Sequence, residues 1–197
     1  MPSSNKCPMA RRRNGAIFSA FAVLVVALLC AGVTAGVHHG LAGAFEQSDL
    51  ALDEAKGGAQ RKLLFPDATS FESQSAPAVE GLNSVYKADA GAWVFDVTSA
   101  QGYHGDVELM IGINADGTVA GIQVVAEDET DGIGTNALTE EYFGGFAGSP
   151  AAGELTVDEA GAGQTHVDAV SGATFTSRAV VDCLNIAFAA YAQMGGN

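Results

Sequence analysis

Basic residues are scarce in this chain. Four of its nine lysines and arginines (Lys6, Arg11, Arg12 and Arg13) precede the first acid, Glu46. Beyond residue 37 five bases face 23 acids, a net of −18. That sign excludes a nucleic-acid partner, because binding needs cations to displace the counterions condensed on phosphates. Cysteine is equally thin. Cys7, Cys30 and Cys183 show no C-x-x-C, C-x-x-C-H or zinc-type spacing. An iron–sulfur cluster, c-type haem or zinc site built by this chain alone is therefore not expected. Cys183 reads as a small buried hydrophobe.

Histidine offers no catalytic pattern either. His38 and His39 are adjacent, while His104 and His166 lie far apart. Neither a Ser–His–Asp nor a Cys–His arrangement follows from spacing, so no catalytic side chain is expected and a hydrolase has nothing to rest on. Glu127-Asp-Glu-Thr-Asp131 is acidic but lacks the alternation of a calcium loop, and no metal site is assigned. There is also no G-x-G-x-x-G phosphate loop.

Against these absences stands an uncharged run over 15–37 containing FAVLVVALLCAGV. At about 1.5 Å per residue it is long enough to cross a hydrocarbon core of roughly 30 Å. Arginines before it and none closely after predict one transmembrane helix, with residues 1–14 as a cytoplasmic basic tail. A cleaved signal peptide is the alternative, with Val33-Thr-Ala35 as a small-residue processing site. The length of the run favours an uncleaved anchor, placing the rest of the chain on the outer face of the cell membrane.

Residues 38–89 read as a stalk and lead-in, with a short helix opening near Ser48 and a loop over 73–84. Residues 90–197 read as one α+β domain. Trp93–Thr98 and Val107–Ile113 have strand patterns, and Asp116-Gly117 turns the second into Thr118–Val125 as a hairpin. A short helix is expected over 136–146, ended by Gly144 and Gly145, and short strands over Leu155–Val157 and His166–Val170. Val180, Val181, Leu184, Phe188 and Tyr191 share one face of a C-terminal helix over 177–193.

Immediately before that helix runs Val167-Asp-Ala-Val-Ser-Gly-Ala-Thr-Phe-Thr-Ser177. Small and hydroxyl residues at a helix start suit a phosphate, which meets free N–H groups and the positive end of the dipole. The plain alternative is that Thr176 or Ser177 caps the helix. Arg178, the one base after residue 88, is expected either to offset a phosphate or to stand solvated on the surface.

The run resembles the flavin-attachment motif of the covalent FMN-binding domain family. The resemblance implies that Thr174 is esterified through the phosphate of FMN. It also implies a separate flavin transferase, using FAD and magnesium, that recognises Asp168 and the pair Ala173-Thr174. Glu129-Thr-Asp-Gly-Ile-Gly134 is similar to an E-T-P-G-L-G loop of the same family, with Asp131 in place of proline. Cofactor contacts are accordingly expected from Glu129, Thr130, Gly132, Gly134, Ser171, Gly172, Ala173, Thr176 and Arg178.

The stretch 102–125 resembles the hairpin that precedes this loop in the family, and the likeness covers about 90–197. An N-terminal anchor followed by an outward-facing domain also fits the family, and the overall length resembles that of the G subunits of the Rnf ion-translocating electron-transport complexes. The C subunits of sodium-translocating NADH:quinone oxidoreductases are related proteins. This implies an electron-transfer subunit of a ferredoxin:NAD-type translocase, partnered by other membrane and peripheral subunits, by the transferase and by membrane lipid. The same flavodomain in another extracytoplasmic redox chain, and a membrane-tethered non-redox binding domain, are the alternatives.

Overall fold

The computed structural model describes residues 57–196, all within one compact unit. The expected tail, the transmembrane run and the start of the stalk lie outside the described residues. Among those described, no helix is long and apolar enough to cross a membrane.

Five strands form an antiparallel meander in sequence order: β1 (Phe71–Gln74), β2 (Leu82–Ala88), β3 (Trp93–Ser99), β4 (Val107–Ile113) and β5 (Val119–Ala126). The expected strands β3 and β4 and the hairpin into β5 are present, and Gly117 takes the positive φ of +82° that the turn demands. Strands β1 and β2 fall within the stretch that the sequence offers as lead-in and loop. Only the connection between them, 75–81, is irregular. Glu72, Ser73, Asn83 and Lys87 break the apolar run with exposed polar groups, as at the margin of a sheet.

The sheet is covered on both faces. Val85, Phe95, Val97, Leu109, Ile111 and Ile113 alternate toward the long C-terminal helix α3 (Thr174–Gln193). On the other face Tyr86, Val94 and Met110 pack with Leu64 of the helical segment α1, residues 57–64, and with Phe65. Helix α3 meets the sheet through the expected Val180, Val181, Leu184, Phe188 and Tyr191, widened by Ala179, Cys183, Ala187 and Ala190. Small residues on that face let the helix lie close to the strands. Cys183 is among them, its thiol 3.6 Å from the Val107 carbonyl oxygen and pushed up in pKa by burial.

The connection from β5 back to α3 carries a 3₁₀ turn (Gly134–Ala137) and helix α2 (Glu140–Gly144), which Thr139 caps through the Tyr142 N–H. Then come β6 (Glu154–Thr156) and β7 (Gln164–His166), which pair in parallel rather than joining the antiparallel sheet. The strand expected over His166–Val170 is thus displaced toward the N-terminus, and 167–173 is irregular. Asn185 explains where this small sheet docks. Its amide accepts the Leu155 N–H at 2.8 Å and donates to the Leu155 carbonyl at 2.9 Å, imitating a neighbouring strand.

Candidate functional site

Helix α3 begins at Thr174, three residues before the expected start. Thr176 and Ser177 are therefore not caps but first-turn residues, both fully buried. Their hydroxyls point back into the fold. Ser177 Oγ accepts the Val170 N–H at 3.0 Å, and Thr176 Oγ1 donates to Glu129 at 2.7 Å. The residue in the capping position is Ala173, which has no side-chain oxygen to offer. The first N–H groups of α3 are left without the side-chain acceptor that usually satisfies one of them.

The 167–173 segment reaches the helix through a tight turn. Ala173 N–H donates to the Val170 carbonyl at 2.9 Å, with Gly172 third in the turn at φ +81°. This is the pattern of a type II turn, which puts glycine at that place because side chains disfavour positive φ. Nothing lies within 4 Å of where a Gly172 side chain would start, so the space over the turn is open. Ser171, Gly172 and Thr174 are exposed and Ala173 is buried beneath them.

The 129–134 loop uses the same device. Ile133 N–H donates to the Thr130 carbonyl at 3.0 Å, and Gly132 takes φ +73°. Asp131 occupies the second position, where proline is common in such turns. The aspartate leaves the turn intact.

Between these loops and α3 lies a cleft of about 330 Å³, lined by Tyr103, Ile133, Gly134, Ala173, Thr174 and Phe175, among others. That volume is at the small end of ligand sites, about 300–1,000 Å³. Tyr103 (60% exposed), Ile133 (53%) and Phe175 (53%) are three of the four large apolar side chains most exposed in the described domain. Their gathering at one cleft sets them apart from scattered surface hydrophobics. The rings of Tyr103 and Phe175 stand 5.8 Å apart, tilted by 43°. None of these three is among the contacts expected from the sequence. The available signals were an aromatic residue set in Gly102-Tyr-His-Gly105 and a phenylalanine at a helix position off the core face.

A larger hollow of about 710 Å³ is lined by Tyr142, Phe146, Leu155, His166, Asp168 and Val170 among others. It does not include Thr174. The two ends of the motif therefore face different hollows, with Asp168 exposed and 3.5 Å from His166 Nε2.

Of the expected contacts, Gly134, Gly172, Ala173, Thr174 and Thr176 line the smaller cleft. Ser171, Thr130 and Gly132 lie in the flanking turns, and Glu129 sits buried behind. Arg178 is directed elsewhere. Its guanidinium grips Asp158 at 2.5 and 3.2 Å and lies 5.7 Å from the centre of the Phe175 ring.

Known proteins match much of this chain. The FMN-binding domain family matches residues 102–189, the span that holds both loops and most of α3. The G subunit of the Na(+)-translocating ferredoxin:NAD(+) oxidoreductase complex of Acetobacterium woodii is 27% identical over 87% of this chain and 89% of its own length. The G subunit of the ion-translocating oxidoreductase complex of Pseudoalteromonas atlantica is 32% identical over 87% of this chain and 84% of its own. A crystal structure of the C subunit of Na(+)-translocating NADH-quinone reductase from Parabacteroides distasonis is 23% identical, with a TM-score of 0.47 over 56% of this chain and 61% of that one. The chain belongs to the G subunit family of ion-translocating oxidoreductase complexes, and its residues 102–189 are similar to the FMN-binding domain.

Proposed function

We propose that this protein is the flavin-bearing electron-transfer subunit of an Rnf-type ferredoxin:NAD oxidoreductase complex, with FMN joined to Thr174 Oγ1 as a phosphodiester. The observation that carries the reading is the position of Thr174. Its side chain is exposed at the first residue of α3, beside an open turn and at the mouth of a cleft with three exposed apolar side chains.

The residues present fit the group. A phosphodiester at Thr174 meets the uncapped start of α3, where N–H groups and the helix dipole favour an anion. The isoalloxazine finds apolar faces on Tyr103, Ile133 and Phe175. A covalent link removes dissociation, so the ring need not be engulfed and stays within reach of a redox partner. When bound, FMN supplies the redox chemistry, and the protein supplies position and electrostatics.

Asp168, Ala173 and Thr174 serve as recognition points for a flavin transferase during maturation. The open space over Gly172 and the exposure of Asp168 leave the loop accessible to such an enzyme. The 15–37 run anchors the domain on the outer face of the membrane. That run carries no charged residue, so ion movement belongs to other subunits of the complex.

The test is expression with and without a flavin transferase, followed by denaturing electrophoresis and in-gel flavin fluorescence. Fluorescence should stay with the wild-type band only when the transferase is present, and Thr174→Ala should abolish it. Flavin that persists on the mutant band would refute the site. Co-purification with the other subunits tests the complex.

A further inference from the structure

Glu129 lies beneath the cleft rather than in its wall, and three segments meet on its carboxylate. Oε1 accepts the backbone N–H groups of Tyr103 at 2.8 Å and His104 at 3.3 Å. Oε2 accepts the hydroxyl of Thr176 at 2.7 Å. The residue is 9% exposed, and Thr176 is fully buried. One side chain therefore joins the 102–105 loop, its own 127–134 loop and the first turn of α3. Its own N–H is held in turn by the Glu127 carboxylate at 2.6 Å.

The surroundings are cut to fit it. A side chain beginning at Gly134 would overlap Oε2 and stand 2.9 Å from Thr176 Oγ1. One beginning at Gly102 would stand 2.6 Å from Oε1 and overlap the Gly105 carbonyl oxygen. Both glycines are needed for close approach to the same carboxylate. The segments it joins carry the aromatic faces of the cleft, since Tyr103 rides on one and Phe175 precedes Thr176 on another.

We infer that Glu129 is a positioning residue, which sets the spacing of Tyr103 against Phe175 above Thr174 without itself touching the cofactor. A carboxylate suits the task because it accepts on both oxygens in fixed directions, and hydrogen bonds to a charged acceptor are stronger than neutral ones. Its flavin readout rests on the reading of Thr174 as the FMN acceptor. Its backbone readout does not.

The backbone is therefore tested first, by hydrogen exchange on flavin-free protein carrying Thr174→Ala, with Glu129→Ala, Glu129→Gln and Thr176→Val added singly. Glu129→Ala should speed exchange at the Tyr103 and His104 amides about tenfold or more, while amides of β3 and β4 keep their protection. Glu129→Gln, which keeps an accepting oxygen, should restore most of that protection. On flavin-loaded protein, Glu129→Ala should also lower the anisotropy of flavin emission, with Gln again the milder change.

Wild-type exchange at both amides in a folded Glu129→Ala protein would overturn the inference. If Glu129→Ala does not fold, Thr176→Val decides. Faster exchange at Tyr103 and His104 supports the joint, and unchanged exchange at both overturns it. Failure of the wild-type protein to retain flavin would instead refute the Thr174 reading and leave the exchange result standing.

Discussion

Arg178 holds Asp158 at two points, Nη2 to Oδ1 at 2.5 Å and Nε to Oδ2 at 3.2 Å. The hydrogen bond first, and the charge second, raises the arginine pKa, while the hydrogen bond to Arg178 lowers that of Asp158 below its ordinary 3.8. The one base after residue 88 thus already has a counter-ion, and it is not among the residues lining the cleft. Arg178→Gln should leave in-gel flavin fluorescence on Thr174 near the wild-type level. A near-complete loss of signal would assign the guanidinium to the phosphate instead.

The same pair sets a direction for acid sensitivity. A carboxyl whose folded pKa is depressed contributes stability that is whole above its unfolded value and fades as pH falls through the folded one. Asp158 is such a group, as are Asp89, held by Thr69, and Asp116, held by Thr118. Their contribution should be constant at neutral pH and decline progressively as pH falls past the ordinary 3.8 and through the lower folded value. Urea midpoints measured down the acid limb should show that fall, and Asp158→Asn should flatten part of it. All three groups are exposed, so each share is small.

Tyr103→Ala and Phe175→Ala separate attachment from ring placement. Neither change touches Thr174, Asp168 or the Val170–Ala173 turn, so covalent loading should persist. The ring should be freer, seen as lower emission anisotropy and a shifted visible spectrum. Each aromatic contact is worth about 0.5–1.5 kcal/mol beyond its buried area. Loss of attachment in both variants would mean that the cleft is read by the transferase itself.

Gly172→Ala meets no atom within 4 Å, so its cost is confined to a positive φ of +81°. A strain of about 1–2 kcal/mol falls on an exposed loop, which should reshape rather than unfold the domain. The expected outcome is a near-normal melting curve with slower flavin loading by the transferase. Normal loading kinetics would show that the shape of the turn is not what the transferase reads.

Leu184→Ala tests the platform beneath the site. Leu184 is fully buried between α3 and the sheet. Truncation should cost about 2–5 kcal/mol, read as a lower urea midpoint. The folded fraction should still accept flavin on Thr174.

Much of the architecture is legible before folding because local physics sets it. The alternation in Trp93–Ser99, the Asp116-Gly117 turn and the helical spacing from Val180 to Tyr191 each occupy one contiguous stretch. Strands β1 and β2 are less legible, since exposed polar residues dilute their pattern and β1 pairs on one side only. The parallel pair β6–β7 is harder still. Three-residue strands have too little periodicity, and their docking depends on Asn185, some 30 residues away.

For the site, the sequence by itself supplied the proposed acceptor, Thr174, and the turn beside it. Ser171-Gly-Ala-Thr174 is contiguous, and the need for glycine at positive φ is a property of the local backbone. The tertiary structure decided which residues surround that acceptor. Glu129 and Thr176 lie 47 positions apart, and Tyr103 and Phe175 lie 72 apart. Only closure of the chain reveals that one buried carboxylate joins them. It also turned Thr176 and Ser177 inward, because α3 starts at Thr174 and one helical face must meet the sheet. Arg178 went to Asp158 for the same reason: the neighbours of a charge are fixed by the fold and not by its distance along the chain.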